Sequence, residues 1–332
     1  MTSHRLPGLL ALPVVLLAAL LVPGPASSAA PSVRAGHDAW VAVSVARLWE
    51  TPSSPRAVDR PALQRPVKVR TWLRSMTLAQ RKALWTHSDT EALLGERVRV
   101  TKVSGSWAHV VVPDQPSPKD TRGYPGWVPL RQITARPPAA TDQVATVVRR
   151  TAWLRTDDAA VAKVIEVSFG TNLRVLAVKP GVVRVVTPLG AVRRIKASVV
   201  SVHAPGGTAL PRTRADLVAT AQSFTGVPYL WGGLSGFGLD CSGLTWLDYR
   251  AHGRTISRDA LPQSRHGVPV KRAALRKGDL IFYATNGLVH HVTMYAGSGR
   301  MVEAPHTGAA VRTVPVRSTE YYGARRYLSP AG

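Results

Sequence analysis

The residue best suited to covalent chemistry is Cys241, the only cysteine among 332 residues. It follows a glycine-rich run and precedes an apolar pattern of helical spacing from Leu244 to Tyr249. A cysteine in the first turn of a helix lies at the positive end of the helix dipole, which favours the thiolate. Because the thiolate is the nucleophilic form, the position suits covalent catalysis. A small buried apolar residue explains the same local pattern, since free cysteines are often buried.

A nucleophilic cysteine requires a base, and the base requires a group that orients it. Five histidines follow Cys241 in the chain: His252, His266, His290, His291 and His306. The first lies late in the same predicted helix and the second in a polar loop, so neither suits the role. His290 and His291 begin a predicted strand and face opposite sides, so only one of them can serve. A hairpin over residues 291–304 would bring that one close to His306.

Cysteine with two histidines is also a possible ligand set for catalytic zinc. The chain has no close ligand pair of the CxxC or HxxxH kind around these residues, and such pairs are the usual signature of zinc sites. The sequence therefore favours thiol chemistry, with no metal and no other cofactor, over a zinc centre.

Residues 1–30 have the features of a secretory signal peptide. Arg5 gives a positive start, an apolar run extends from Leu6 to Val22, and small residues follow at 26–30. Proline and glycine interrupt the run, which argues against a retained membrane span. We expect a secreted protein, extracellular or cell-wall associated, with no stable membrane span after signal cleavage. In that compartment an unpaired cysteine indicates a reactive thiol, which favours a catalytic Cys241.

The formal net charge of the chain is +24, and the predicted signal contributes only Arg5 to it. An exported chain of this charge is expected to bind polyanions, such as the anionic polymers of a bacterial wall. The basic residues are scattered and no base-reading motif occurs, so we expect no nucleic-acid partner.

Short strands with regular turns predict two small antiparallel all-β units before the cysteine. The first covers residues 36–135 and the second residues 143–203, with a proline-rich linker between them. The first unit contains an insertion at about residues 59–90. A capping box at Thr77 predicts a short basic helix there, packed on the unit by Trp72 and Trp85.

Residues 210–330 differ in character, with helices first and an antiparallel sheet after them, which is an α+β layout. A second capping-box pattern, Thr213 to Asp216, begins an amphipathic helix. After the Cys241 helix, apolar runs at Leu280, His291 and Met301 predict strands.

Five short motifs follow one another in this region: Tyr229-Leu230-Trp231-Gly232-Gly233, Asp240-Cys241-Ser242-Gly243, Gly278-Asp279-Leu280-Ile281-Phe282, His291-Val292-Thr293-Met294-Tyr295 and Glu303-Ala304-Pro305-His306. In order and spacing they resemble the NlpC-type cell-wall peptidases, which are papain-like cysteine endopeptidases of bacterial murein. The all-β units resemble the bacterial SH3-like modules of that family, through Val43-Ser44-Val45-Ala46-Arg47-Leu48-Trp49 and Gly123-Tyr124-Pro125-Gly126-Trp127-Val128. The implied fold is α+β, a papain-like catalytic domain preceded by two small all-β SH3-like barrels.

The resemblance implies a role for each matched residue. Cys241 is the implied nucleophile, His291 the general base, and His306 the residue that orients the imidazole. Tyr229 resembles the tyrosine whose hydroxyl helps to hold the oxyanion. The substrate-binding positions implied beside the nucleophile are Trp231, Asp240 and Ser242.

Family members of this three-domain build often cut the bond between D-γ-glutamate and the diamino acid of the stem peptide, and several require a free N-terminal L-alanine. Asp259 resembles the acid that binds this amine, and a carboxylate suits an ammonium group. Glu96 and Tyr124 of the first unit resemble residues that wall the same pocket. Asp259 is also explained as an acid at a helix N-terminus.

The resemblance thus implies a secreted murein endopeptidase that hydrolyses the D-γ-glutamyl–diamino acid bond of peptidoglycan stem peptides through a Cys-His-His thiol mechanism. Two alternatives remain open. One is a non-catalytic cell-wall-binding protein, which the charge and the two modules would suit. The other is an acyltransferase that uses the same papain-like site with an amine in place of water.

Overall fold

The structure, a computed structural model, describes residues 1–4 and 32–328. The predicted signal peptide lies, apart from its first four residues, outside the described residues. Within the described part of the chain, no helix is both long enough and apolar enough to cross a membrane.

Seven strands make up the first β-structure: β1 (Asp38–Val41), β2 (Val45–Trp49), β3 (Ser88–Leu93), β4 (Arg97–Ser104), β5 (Trp107–Val112), β6 (Tyr124–Pro129) and β7 (Ile133–Thr134). They form one sheet in the order β3-β2-β6-β5-β4-β1-β7, with antiparallel pairs throughout. Apolar side chains at alternate positions, among them Val98, Val100 and Val110, form a small core of their own. This agrees with the alternation that predicted an all-β unit here.

A helical excursion separates β2 from β3 and contains α1 (Val69–Ser75), α2 (Leu78–Lys82) and 3-10 turns at Ala57–Leu63 and Ala83–Thr86. The predicted capping box is present, since Thr77 accepts from the Gln80 N–H at 3.2 Å and the Gln80 side chain accepts from the Thr77 N–H at 2.9 Å. Trp72 is buried as predicted. The prediction for Trp85 was wrong, because Leu84 takes the inward position of its turn and leaves Trp85 60% exposed.

Seven further strands form the second β-structure: β8 (Val144–Val147), β9 (Thr151–Thr156), β10 (Lys163–Ser168), β11 (Asn172–Lys179), β12 (Val182–Val186), β13 (Val192–Lys196) and β14 (Val200–His203). Their order is β10-β9-β13-β12-β11-β8-β14. The two sheets fall within the two ranges for which all-β units were predicted. Closure of each sheet into an SH3-like barrel, and the domain boundaries, stay predictions.

The remaining elements are α3 (Arg214–Ser223), β15 (Leu234–Ser235), β16 (Gly238–Leu239), α4 (Cys241–Ala251), α5 (Ala260–Arg265), β17 (Val268–Val270), β18 (Leu280–Thr285), β19 (Leu288–Gly297), β20 (Arg300–Glu303), β21 (Arg312–Pro315) and β22 (Tyr321–Arg326). The last six strands form one antiparallel sheet in the order β17-β22-β18-β19-β20-β21. Helices therefore precede the sheet, which confirms the α+β layout. As predicted, Thr213 caps α3, accepting from the Asp216 N–H at 3.1 Å.

One large hydrophobic core connects the first sheet and its excursion to the α+β region. Trp49 of β2 and Trp72 of α1 belong to the same buried cluster as Trp246 and Leu247 of α4. The indole rings of Trp49 and Trp72 meet edge to face, with 6.4 Å between their centroids. The first β-structure is therefore packed into the region that carries Cys241.

A buried ion pair on the first sheet holds the loop that leads to the cysteine. Arg47 and Glu91 lie 3.3 Å apart, each no more than 2% exposed. Arg47 also donates to the carbonyl oxygen of Trp231, and Glu91 accepts from the Leu234 N–H at 3.1 Å. Because both partners contact the same loop, the pair fixes its position against β2 and β3.

Arg47→Met is expected to destabilise the protein by about 3–5 kcal/mol, because it leaves the buried Glu91 carboxylate without its cation. Urea unfolding followed by tryptophan fluorescence measures the change. Adding Glu91→Gln to this variant should restore part of the stability, since the uncompensated charge is then removed.

Arg97→Met provides the matched control, because Arg97 pairs with Asp38 at the surface with 52% of its side chain exposed. Its cost is expected to be below about 1 kcal/mol. Equal losses for the two arginine variants would contradict a special role for the buried pair.

Candidate active site

Cys241 is the first residue of α4, as its sequence context predicted. The helix is capped by Asp240, whose side chain accepts from the Gly243 N–H at 2.6 Å. A side chain at position 243 would overlap the carbonyl oxygen of Gly233, so glycine is required where α4 passes the preceding loop. Cys241 is buried, with 8% of the residue exposed.

The capping carboxylate is held by a fully buried arginine. Arg258 donates to the two Asp240 oxygens at 2.9 and 3.1 Å and to the Ser242 hydroxyl at 3.1 Å. It also donates to the Thr90 hydroxyl of β3 at 2.9 Å. The observed contacts of Asp240 and Ser242 therefore fix the start of α4, and substrate binding by these two residues stays a prediction.

His291 lies on β19, the strand against which α4 packs. The backbone N–H of Val292, the residue after His291, lies near the Cys241 sulfur. His291 is 7% exposed, whereas the His290 imidazole points outward, 3.7 Å from Glu320. Strand alternation therefore turns His291, and not His290, towards the interior.

The residue that contacts the His291 imidazole is Glu303. Nε2 of His291 lies 3.1 Å from Oε2 of Glu303, so the ring donates Nε2–H to the carboxylate and Nδ1 is left to accept a proton. His306 is exposed and its Nδ1 lies 3.1 Å from the carbonyl oxygen of Thr307. The prediction that His306 orients the imidazole was therefore wrong.

The pairing of β19 with β20 explains this difference. Met294 pairs with Val302, so Glu303 comes opposite Thr293, two residues from His291 on the same face. The strand ends at Glu303 and Pro305 follows, which carries His306 into the next loop. Counting this face along the hairpin from the sequence would have indicated Glu303.

The zinc alternative required Cys241 with two histidines as ligands. His306 instead contacts its own loop. In the described part of the chain, no group of three or more histidine, cysteine, aspartate and glutamate side chains is arranged to hold a metal ion.

Burial and hydrogen bonding leave the His291 imidazole and the Glu303 carboxylate in different charge states at neutral pH. Burial lowers the pKa of His291, and Glu303 offsets only part of that effect. Burial would raise the pKa of Glu303, but hydrogen bonds from His291, Arg317 and Arg312 lower it to about 2. At neutral pH the pair is therefore a neutral imidazole beside a carboxylate, which suits a general base.

The thiol does not ionise by itself. Burial raises the pKa of Cys241 to about 12, and the Asp240 carboxylate adds to the rise, while the N–H groups of Val292 and Ser242 oppose it. The helix N-terminus does favour the thiolate, through the Ser242 N–H, but burial outweighs this effect. A base must therefore remove the proton, and the role of His291 as that base stays a prediction.

Tyr229 lies beside the nucleophile. Burial raises its pKa far above the usual range, and Cys241 and Asp240 raise it further. The hydroxyl therefore stays protonated and can donate a hydrogen bond near the sulfur.

An acidic corner lies on the other side of Arg258, where the first sheet meets α5. The Tyr124 hydroxyl is 3.5 Å from Oδ1 of Asp259, and Asp259 makes no side-chain cap on α5. Asp89 of β3 adds a second carboxylate and pairs with Lys119, whose ammonium lies 5.3 Å above the Tyr124 ring. The structure therefore brings Tyr124 and Asp259 together, and it also places Asp259 at the N-terminus of α5, as the alternative explanation of this acid predicted.

Glu96 does not belong to this corner. It is buried and forms an ion pair with Arg250, near the C-terminal end of α4. Nine residues of helix, about 13 Å, separate Arg250 from the nucleophile, so the placement of Glu96 in the pocket wall was wrong. Asp89, which was not predicted from the sequence, supplies the second carboxylate of the acidic corner. Trp231 is 40% exposed and its backbone carbonyl accepts from Arg47, so substrate contact by its ring stays a prediction.

Comparison with protein families gives two matches. The NlpC/P60 family model matches residues 226–328, the region that contains Cys241, His291 and Glu303. The model of the YKFC SH3b2 domain matches residues 147–203, the region of the second sheet.

Curated relatives match over most of their length. A gamma-D-glutamyl-L-lysine dipeptidyl-peptidase of Bacillus cereus is 39% identical over 304 residues, covering 87% of this chain and 91% of that protein. The protein of the same description from Bacillus subtilis is 38% identical, covering 84% and 93%. A crystal structure of an NlpC/P60 family protein from Bacillus cereus superposes with a TM-score of 0.83 at 38% identity, covering 88% of this chain and all of that one.

His291→Ala is expected to slow alkylation of Cys241 by iodoacetamide at pH 7 by roughly 10- to 100-fold, because the buried thiol loses its base. Mass spectrometry of the labelled protein measures the rate. His290→Ala is the matched control, since its ring points outward, and should change the rate by less than about twofold. Equal rates in the wild type and His291→Ala would show that the helix N-terminus suffices.

Glu303→Gln is expected to lower kcat/KM for stem-peptide cleavage by about 10²-fold or more, because the neutral amide no longer stabilises the imidazolium or fixes its tautomer. His306→Ala should stay within about twofold of the wild type. The reverse ranking would restore His306 as the orienting residue.

Proposed function

This chain belongs to the NlpC/P60 family, and from that membership we propose that it hydrolyses the bond between D-γ-glutamate and the diamino acid of peptidoglycan stem peptides. It is a cysteine-type peptidoglycan hydrolase, as its relatives are. The observation that carries the thiol mechanism is the His291–Glu303 hydrogen bond on β19, the strand that packs against the helix beginning with Cys241. The names of the two Bacillus relatives support the choice of a γ-D-glutamyl bond.

In the proposed reaction His291 takes the Cys241 proton at Nδ1 while Glu303 holds Nε2–H. The sulfur attacks the γ-carbonyl carbon of D-glutamate and forms a tetrahedral oxyanion. The imidazolium returns the proton to the amine of the diamino acid, the carbon–nitrogen bond breaks, and a thioester remains. Water, deprotonated by His291, then attacks the thioester, and the thiol leaves with the proton.

Two donors are available for the oxyanion. The backbone N–H of Cys241 is free of intrahelical bonding because it begins α4, and the protonated Tyr229 hydroxyl lies near the sulfur. Donors that are fixed before the reaction starts stabilise the developing charge at little reorganisation cost.

The acidic corner supplies a site for the N-terminal ammonium of the substrate. A dipeptidyl-peptidase releases two residues from a free N-terminus, so it has to recognise an amine at a short, fixed distance from the thiol. Arg258 contacts both Asp240, next to the nucleophile, and Asp259, at 4.0 Å. The corner therefore lies one side chain away from the start of α4.

The charges of the corner suit an ammonium group. Burial raises the pKa of Asp259, and Arg258 offsets this only in part, so a further cation would stabilise its charged form. The ammonium of Lys119 already pairs with Asp89 above the Tyr124 ring. We therefore assign Asp259, Tyr124 and Asp89 to the L-alanine end of the substrate.

Action outside the cell is part of the same proposal. The apolar segment at residues 6–22 favours export, and the net charge of +24 favours binding to a wall rich in anionic polymers. The expected binding partner is then peptidoglycan or its stem peptides.

The wild type is expected to cut L-Ala-γ-D-Glu-diamino acid peptides between the second and third residues, and to cut the N-acetylated peptide much more slowly. Acetylation removes the ammonium charge that the acidic corner binds. Mass spectrometry of the products, including products from intact murein, measures both. Cleavage of the acetylated peptide at an equal rate would remove the amine pocket from the proposal.

Asp259→Asn tests the same pocket from the side of the protein. It should raise KM for the free-amine peptide and leave the slow rate on the acetylated peptide unchanged.

Release of free peptide termini distinguishes hydrolysis from acyl transfer to an amine, and addition of EDTA distinguishes thiol from zinc chemistry.

A further inference from the structure

Glu303 is a fully buried carboxylate that two arginines approach from the surface. Oε1 accepts from Nε of Arg312 at 3.0 Å, and a second Arg312 nitrogen lies 2.9 Å away. Oε2 accepts from Arg317 at 2.8 Å. The carboxylate is 0% exposed, whereas the arginine side chains are 48% and 40% exposed. Two surface cations therefore direct their charge inward at one buried anion.

One oxygen of Glu303 contacts both the imidazole of the proposed base and an arginine. Oε2 of Glu303 contacts His291 at 3.1 Å and Arg317 at 2.8 Å. Arg312 reaches Oε1 from the paired strand, where it stands directly opposite Glu303. The Arg317 guanidinium also lies 4.6 Å above the ring of Tyr283, which is 6.0 Å from the His291 ring. Each arginine is thus held in place by a second contact or by strand pairing.

We propose that Arg312 and Arg317 are positioning residues that keep Glu303 as an anion against His291 and thereby set the lower pH limit of catalysis. The proposal rests on the proposed thiol peptidase mechanism, and neither arginine needs to touch the substrate.

Burial disfavours the charge of Glu303, and each arginine helps to keep the carboxylate ionised. Removing one arginine leaves the other in contact, so Glu303 is expected to stay an anion that is less neutralised. With both arginines present, Glu303 stays ionised yet is largely neutralised. The imidazole therefore remains uncharged, and able to accept a proton, down to a lower pH than beside a bare anion.

The charged and titratable groups around His291 are few. Among the described residues they are Glu303 on β20, Arg317 after β21, Tyr283 on β18 and His290 on its own strand, while Cys241 of α4 lies near the next residue, Val292. Arg312 acts on His291 only through Glu303. Of these groups Arg317 is the strong cation, and it lowers the pKa of His291. Its removal would favour the imidazolium, so the base would become charged at a higher pH.

The first test is the pH profile of kcat/KM for Arg317→Gln and Arg312→Gln. The acid limb should move to higher pH by roughly 0.5 to 1 unit, so the loss of activity is larger at pH 5.5 than at pH 8. Arg317→Lys, which keeps a cation, should show a smaller shift. Arg300→Gln is the matched control on β20, since the one side-chain hydrogen bond of Arg300 among the described residues goes to the backbone carbonyl of Thr313, and its acid limb should stay in place.

The second test needs no substrate. In a Cys241→Ser background with carbon-13-labelled histidine, the His291 resonance is assigned by its loss in His291→Ala and titrated by NMR. Its midpoint should rise in Arg317→Gln and Arg312→Gln and stay unchanged in Arg300→Gln.

Equal fractional losses of activity at pH 5.5 and pH 8, together with an unchanged His291 midpoint, would overturn the proposal and leave the arginines a purely structural role. If the wild type fails to cut the γ-D-glutamyl bond, the proposed substrate is wrong, and the NMR titration still decides the role of the arginines.

Discussion

The ion pair between Asp240 and Arg258 is the interaction on which the site depends. Asp240 caps α4 and so places Cys241 at the helix start, while Arg258 holds that carboxylate and reaches Thr90 of the first sheet. The next residue along the chain is Asp259, which faces Tyr124. One buried pair therefore connects the nucleophile, the first β-structure and the acidic corner. Buried ion pairs add little net stability compared with apolar packing, so its value lies in fixing these three parts relative to one another.

The first β-structure is part of the site rather than a separate binding module. Its strands supply Arg47 and Glu91, which hold the loop before Cys241, and Tyr124 and Asp89, which form the acidic corner. The helical excursion after β2 adds Trp72 to the core that also contains α4. The first β-structure and the region that carries Cys241 therefore share one buried core.

Some of the arginines that give the chain its large positive charge pair with buried carboxylates inside the fold. Acidic residues are scarce, 19 against 43 lysines and arginines, and the buried ones near the site each contact an arginine. Arg47 pairs with Glu91, Arg258 with Asp240, and both Arg312 and Arg317 contact Glu303. Cations near a buried carboxylate keep it ionised, so the arginine excess sustains the few anions that position the thiol and its base.

Local signals in the sequence were sufficient for the elements themselves. The caps at Thr77 and Thr213 and the helical start at Cys241 each depend on residues within a few positions of one another, and the structure has all of them. The choice of Glu303 over His306 depended on which residues β19 and β20 pair. The choice of Asp89 over Glu96 depended on how the first sheet packs against α5. The first is a register between two neighbouring strands, which counting along the hairpin would have given. The second is a contact between segments far apart in the chain, and only the packing of the whole protein decides it, because burial across elements leaves no periodic pattern in either segment alone.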